Sequence, residues 1–314
     1  MGLLDGKVAI VTGAGRGIGR GEALLLAREG ARVVVNDVGA SVTGQGHDAS
    51  PAELVVKQIE ESGGEAIVND ADVSDFEATK AMVDLAIERF GRLDIVVNNA
   101  GILRDRMLVN MTPEEWDAVM SVHLRGTFNT TRHAVAHWRE LSKAGEPVAG
   151  RVINTSSPSG LYGNVGQSNY GAAKAGIAAF TVIVAQEVGR YGVTVNAVSP
   201  SARTRMTEQA FGTIAEPESG FDTFAPENIA PIVCYLASDD AAGITGQVFG
   251  VQGGSIALLQ GWTPSGVIDK SERWEPAELM DAIEQIVPGK KIQPDPMAAR
   301  LAAGQQPLIS GSKN

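Results

Sequence analysis

Three side chains near the middle of the sequence have types and spacing suited to acid–base chemistry at a carbonyl or an alcohol. Ser157 precedes Tyr170 by thirteen residues, and Lys174 follows the phenol by four. After Ser168 the run A-A-K-A-G-I-A-A-F-T-V-I-V-A-Q-E reads as a buried helix. On a helix, positions i and i+4 share a face, so Tyr170 and Lys174 project side by side. A tyrosine ionises near pH ~10 when unperturbed, and a cation beside it favours the phenolate. The pair is therefore expected to supply a proton acceptor usable nearer neutral pH, with Ser157 hydrogen-bonded to the reacting oxygen. A Y-x-x-x-K pair on its own is common on helices, so the rest of the chain decides its meaning.

The elements that would position these residues alternate strand and helix. Lys7 to Thr12 is a short apolar strand that opens into G-A-G-R-G-I-G and then an amphipathic helix ended by Gly30. Gly13, Gly17 and Gly19, with Arg16 and Ile18 between them, sit where the strand turns into the helix. Glycine there permits the tight turn and lets a diphosphate approach backbone amides at the helix amino terminus. The next strand, R-V-V-V-N-D, ends at Asp37, about twenty residues beyond the loop. An acid at that place hydrogen-bonds adenosine ribose hydroxyls and repels a 2′-phosphate, so the expected cofactor is NAD. Arg16 pulls towards a 2′-phosphate. Asp37 outweighs it, because the acid would lie on the ribose whereas a loop arginine can point to solvent.

Residues 38–50 form a long polar loop, in which His47 reads as a solvated residue. A helix follows from Pro51 to about Ser62. E-A-I-V-N-D is the third strand, followed by Asp72-Val73, where a polar residue either meets the adenine edge or caps the next helix, a role for which Ser74 and Asp75 compete. A helix runs from about Asp75 to Phe90. The fourth strand, L-D-I-V-V-N, leads into Asn99, Ala100 and Gly101, small residues that suit a ligand passing close to backbone. Thr112-Pro113-Glu114-Glu115 begins a helix that is expected to run through His123 to Trp138. R-V-I-N-T-S-S is the fifth strand and delivers Ser157 at its carboxyl end. The sixth, V-T-V-N-A-V-S, ends at Pro200. Residues 201–225 read as irregular and polar, either a lid or a surface loop. G-Q-V-F-G-V is the last expected strand. The tail from Gly261 carries a helix near Pro276 to Val287, and the last two dozen residues are expected to be loosely packed. This order implies a doubly wound, Rossmann-like α/β fold with a parallel sheet, in one domain over residues 1–260 and an extension over 261–314.

Composition narrows the function classes. The chain has 314 residues, 44% hydrophobic and 20% charged, an ordinary globular balance. A net charge of −11 argues against general affinity for nucleic acid or anionic membrane. Cys234 is the only cysteine, so no intrachain disulfide and no cysteine-built metal site is expected. No metal is expected at all. The start enters a strand at once, without a signal peptide, and no apolar run is expected to reach the ~20 residues of a membrane span. A cytoplasmic protein is the expectation.

Taken together, T-G-A-G-R-G-I-G, N-N-A-G, Ser157, Y-G-A-A-K and the Pro200 turn resemble the short-chain dehydrogenase/reductase family over about residues 5–255. The resemblance implies a seven-stranded sheet, a nicotinamide cofactor and hydride transfer at a carbon bearing oxygen. It makes Tyr170 the acid–base, Ser157 the group that orients the substrate oxygen, and Lys174 the residue that lowers the tyrosine pKa and binds the nicotinamide ribose. It also assigns Pro200, Ser201, Ala202 and Thr204 to the nicotinamide amide pocket, although Pro200-Ser201 departs from the usual Pro-Gly. V-V-V-N-D-V-G, N-N-A-G-I-L-R-D-R, V-H-L-R-G-T-F and S-G-L-Y-G-N-V-G-Q-S-N-Y resemble one subgroup. That subgroup is the (3R)-hydroxyacyl-CoA dehydrogenase unit of peroxisomal multifunctional enzyme type 2, which is also a 17β-hydroxysteroid dehydrogenase, together with its single-domain relatives.

The subgroup likeness implies a small-molecule substrate, an acyl-CoA thioester or a steroid. It also implies that this chain carries the dehydrogenase unit alone, as a homodimer or homotetramer. Like the subgroup, the chain has His123 where many family members have a relay asparagine. Whether His123 relays protons or only shapes its helix is open at this level. A CoA diphosphate would need basic contacts, for which Arg104, Arg106, Arg203 and Arg205 are candidates. An NADPH-dependent 3-oxoacyl-carrier-protein reductase is the alternative that Arg16 favours.

Overall fold

The computed structural model describes residues 2–290 together with 294 and 297. Eight strands form one sheet: β1 Val8–Thr12, β2 Arg32–Asn36, β3 Ala66–Asn69, β4 Ile95–Asn98, β5 Gly150–Thr155, β6 Val193–Ser201, β7 Val248–Gln252 and β8 Ser255–Leu259. Their order is β3-β2-β1-β4-β5-β6-β7-β8. The first seven are parallel, as expected. β8 is an addition: it returns antiparallel to β7 after Gly253-Gly254, where Gly253 takes φ +55°. A two-residue glycine link between apolar runs is a hairpin signal, and the sequence reading passed over it.

The helices that position the site are α1 Gly17–Arg28, α2 Ser50–Glu61, α3 Phe76–Phe90, α4 Pro113–Met120, α5 Gly126–Lys143, α6 Pro158–Tyr162, α7 Ser168–Val188, α8 Arg205–Phe211, α9 Ala230–Ala237 and α10 Pro276–Ala282. Strand side chains alternate between the two faces of the sheet. Ala9, Val11, Val33, Val35 and Val97 pack with Leu26 of α1, Ile59 of α2 and Val233 of α9. Val8, Ile10, Val34, Val96 and Val152 pack with Met82 of α3, Trp138 of α5 and Val184 of α7. Both faces are covered, which is why the strands read as near-continuous apolar runs.

The helix starts agree with expectation, and some other local features differ. Asp75 caps α3, accepting the N–H of Glu77 and of Ala78, each at 2.9 Å. Thr112 and Glu115 form the capping box that starts α4. The expected continuous helix to Trp138 is interrupted by one π turn at Ser121–Arg125. The segment after β6 is not wholly irregular: Thr204 caps α8 through a reciprocal bond with Thr207. Contrary to expectation, the stretch Ser168–Tyr191 is long and apolar enough to cross a membrane by length and composition. In this fold it packs on the sheet, with Asn169, Lys174 and Thr181 buried. α10 lies in the expected C-terminal extension. The loosely packed tail expected after it lies outside the described residues, apart from 294 and 297.

Candidate active site

The order of strands reverses around β1, which has β2 on one side and β4 on the other. At such a switch point the carboxyl ends of the strands leave a crevice. A cavity of about 740 Å³ occupies it, lined at one end by Gly13 and Gly17 and at the other by Ser157 and Tyr170.

The floor of this cavity is a locked glycine loop. Thr12 Oγ1 accepts the backbone N–H of Asn99 at 3.0 Å and of Ala100 at 3.1 Å. Asn99 Nδ2 donates to the carbonyls of Thr12 (3.0 Å) and Gly13 (3.1 Å). A side chain at Gly13 would put Cβ 2.8 Å from Ala100 Cα. The N-N-A-G turn therefore holds the glycine loop as much as it faces a ligand. Gly17 takes φ +53° and looks into open space, with only the Thr204 methyl at 3.6 Å from a Cβ placed there. That opening beside exposed backbone amides fits a diphosphate.

Asp37 stands at the end of β2, where Oδ2 accepts Gly15 N–H at 2.8 Å and Oδ1 accepts Gly39 N–H at 2.7 Å. Of the residues expected to contact the cofactor, Arg16, Ile18, Asp37, Asp72, Val73, Asn99, Ala100, Gly101, Pro200, Ala202 and Thr204 line the same cavity. Two expected residues do not line it. Gly19 faces the loop's own backbone, where a Cβ would fall 2.3 Å from the Gly13 carbonyl oxygen. Ser201 ends β6, in register with Gln252 of β7. The loop after β2 folds over the Asp37 end of the cavity. Leu103 N–H donates to the Val42 carbonyl at 2.9 Å, and Gly44 sits on Ile102. His47 is exposed in that loop, 3.2 Å from Asp70.

Ser157 and Tyr170 meet because β5 ends beside the first turn of α7. Ser157 caps α6: its Oγ accepts Ser159 N–H at 3.2 Å. With a lone pair so engaged, its hydroxyl proton is free to point at Tyr170 or at a substrate oxygen. The Lys174 ammonium donates to the Thr155 carbonyl at 2.6 Å and lies 5.6 Å from the Tyr170 ring centroid. Burial dominates both groups. It pushes the Tyr170 phenol up to about 12, against the hydrogen bond from Ser157, and the charge of Asp105 adds to the rise. It pushes Lys174 down to about 7. Desolvation works against both charged forms, so a phenolate here needs opposite charge beside it.

His123 sits in the π turn, edge-on to Tyr170 with ring centroids 5.1 Å apart. Single π turns occur often at functional sites. Its Nε2 lies 2.8 Å from the Ile102 carbonyl oxygen. The Ile102 N–H also lies 3.1 Å from Nε2, so Nε2 is paired in either tautomer, whereas Nδ1 is buried without a partner. Burial, then the charge of Lys174, holds the ring down to about 3, so it is neutral.

The segment after β6 roofs the cavity with Thr204, Arg205 and Met206. Arg203 ties it together by pairing with Asp222 and, at 3.2 Å, with Glu216. Of the four candidate arginines, Arg106 is also engaged, with Glu115 at 2.8 Å. Arg104 Nε is buried without a partner. Burial and the neighbouring charge of Arg16 press Arg205 down, against Asp37. Five residues that the sequence reading missed belong to the site: Thr12, Thr155, Ser159, Gln167 and Asp105. Their types are ordinary, and only the three-dimensional contacts single them out.

Comparison with known proteins agrees with this geometry. Residues 7–214 match the short chain dehydrogenase family. The hydroxyacyl-CoA dehydrogenase ChsB1 of Mycobacterium tuberculosis is 45% identical, over 91% of this chain and 90% of its own length. The mouse peroxisomal multifunctional enzyme type 2 is 40% identical over 90% of this chain, which spans only 37% of that protein. A short chain dehydrogenase from Mycobacterium avium superposes with a TM-score of 0.82 at 50% identity, covering 94% of this chain and 99% of that one. The chain belongs to the short-chain dehydrogenase family. It is an oxidoreductase that acts on CH–OH groups with a nicotinamide cofactor.

Proposed function

We propose that this protein is an NAD-dependent (3R)-hydroxyacyl-CoA dehydrogenase, oxidising the 3-hydroxyl of an acyl thioester to a ketone. The observation that carries the reading is the convergence of Ser157, Tyr170 and Lys174 on one cavity with the glycine loop. The substrate class follows the relative whose name carries it, the hydroxyacyl-CoA dehydrogenase ChsB1. Gly13, Gly17, Ile18, Asp72, Val73 and Thr204 would hold the dinucleotide. The acid at Asp37 supports NAD over NADP by repelling a 2′-phosphate. Bound oxidised nicotinamide supplies the hydride acceptor and a positive charge that favours a nearby phenolate.

The protein's own groups handle the proton and the orientation. Ser157 donates to the substrate oxygen, and Tyr170 takes the hydroxyl proton as C3 loses hydride. Lys174, held by the Thr155 carbonyl, supplies the cation that the buried phenolate needs. His123, whose Nδ1 has no partner, stands edge-on to the Tyr170 ring. Arg104 and Arg205, unpaired among the described residues, are the basic groups for a CoA phosphate.

The test follows cofactor reduction with a (3R)-hydroxyacyl-CoA, its (3S) enantiomer and a 17β-hydroxysteroid, each with NAD and with NADP. A strong rate with the (3R) thioester and NAD alone is expected. Activity confined to the steroid, or a preference for NADP, would overturn the assignment.

A further inference from the structure

Beyond the catalytic serine runs a chain of hydrogen bonds whose direction is set from its outer end. Ser159 Oγ donates to Gln167 Oε1 at 2.7 Å, and Asn164 Nδ2 donates to the same oxygen at 3.0 Å. Gln167 Nε2 donates to Asp105 Oδ2 at 2.7 Å. Ser159 and Gln167 are buried and line the cavity with Ser157 and Tyr170. Asp105 lies on the loop after β4. That loop is bound to the start of α7 by Arg106 N–H donating to the Gly166 carbonyl at 2.8 Å.

A carboxamide fits such a place in two orientations, which differ in the end that donates. An ionised carboxylate can only accept. Asp105 therefore draws the NH₂ end of Gln167 towards itself and leaves the carbonyl end for Ser159. The Ser159 hydroxyl has one proton, and the 2.7 Å contact uses it. What remains is a pair of lone pairs, so the cavity meets an acceptor at Ser159 and no donor. Met297 Sδ, 3.9 Å from the same oxygen, does not compete with the shorter bond.

We infer that Asp105 is a positioning residue which, through Gln167, presents Ser159 as a hydrogen-bond acceptor to an amide N–H of the substrate. The inference rests on the acyl-thioester reading above. The reacting hydroxyl is already held by Ser157 and Tyr170. The thioester carbonyl and sulfur have no proton to give. The first donor further along a pantetheine-type arm is its amide N–H. A steroid skeleton has no equivalent group.

The charge of Asp105 gives a second signature, because it raises the proton affinity of Tyr170. The other charged or titratable groups at the phenol are Lys174 and the neutral His123. Arg104 and Arg106 flank Asp105, and Arg106 is paired with Glu115.

The test compares a (3R)-hydroxyacyl-CoA with an analogue in which the arm's amide N–H is replaced by an ester oxygen. One neutral hydrogen bond corresponds to about a five- to tenfold preference in kcat/KM for the amide in the unaltered enzyme. Ser159→Ala should abolish that preference. Asp105→Asn should weaken it through a raised KM and also move the acid limb of the pH profile down. Thermal melting checks that each variant folds. An amide-to-ester ratio that is the same in the unaltered enzyme and in Ser159→Ala overturns the inference and leaves the thioester reading intact. No activity of the unaltered enzyme on either thioester overturns both.

Discussion

Glu22 on α1 is fully buried, and neither of its carboxyl oxygens has a partner. Burial alone pushes its pKa from 4.5 up to about 8. An unfolded glutamate releases its proton near pH 4.5, whereas the folded one keeps it to about pH 8. The folded state therefore binds the extra proton throughout that window, and stability falls as pH rises through it. The shift corresponds to about 5 kcal/mol across the window and about 3 kcal/mol at pH 7. Glu22→Gln keeps the shape and removes the titration. Its melting temperature should match the unaltered protein near pH 4.5 and exceed it by several degrees at pH 8. The assay is thermal melting of both proteins between pH 4.5 and 8.5, at fixed protein concentration. Parallel curves with a constant offset would refute the reasoning, because they would mean that Glu22 is charged in the fold or is satisfied by a group that burial alone does not reveal.

Three further outcomes follow from contacts in the cavity. Tyr170→Phe should lower kcat by about two to four orders of magnitude while NAD binding, measured by fluorescence titration, is retained. Asn99→Ala leaves the carbonyls of Thr12 and Gly13 without their side-chain donor. It should weaken NAD binding and destabilise the protein by about 1–3 kcal/mol in denaturant unfolding. Gly101→Ala would put Cβ 2.4 Å from His123 Cε1. It should displace the imidazole and reduce kcat more than NAD affinity, read by steady-state kinetics beside a binding titration.

The sequence was most legible where chemistry-bearing residues sit at strand ends. Ser157, Asp37, Asn99 and the glycine loop all follow a short apolar run, and strand alternation fixes where such a residue emerges. The Tyr170–Lys174 pair was legible because α7 is long and regular. The π turn at His123 was not legible, because the Gly126 that follows it directly sits in a run that otherwise reads as one helix, and a single glycine does not mark a π turn. Gly19 and Ser201 were read as cofactor contacts because a motif does not say which of its members face the ligand and which face the loop's own backbone. Thr12 and Gln167 went unnoticed for a related reason. A threonine before a glycine turn and a glutamine before a helix are ordinary residues until their partners 87 and 62 positions away are known.

The same partners explain how the site keeps a base in reserve. A phenol held at about 12 keeps its proton at neutral pH, and an amine held at about 7 is only partly charged there. Each group becomes useful only when charge of the opposite sign is brought close, since a buried ion is stabilised by a partner far more than an exposed one. Lys174 is held by its ammonium at the Thr155 carbonyl, and Ser156 Oγ donates to the Lys174 backbone carbonyl at 2.9 Å. Asp105 works in the opposite sense, raising the proton affinity of Tyr170 from the loop after β4. The basicity of the phenol is therefore a balance struck between α7, which carries the cation, and the β4 loop, which carries the anion. Gln167, at the cap of α7, joins those two elements beside the bonds from Arg106 N–H to Gly166 and from Asn169 to Arg104.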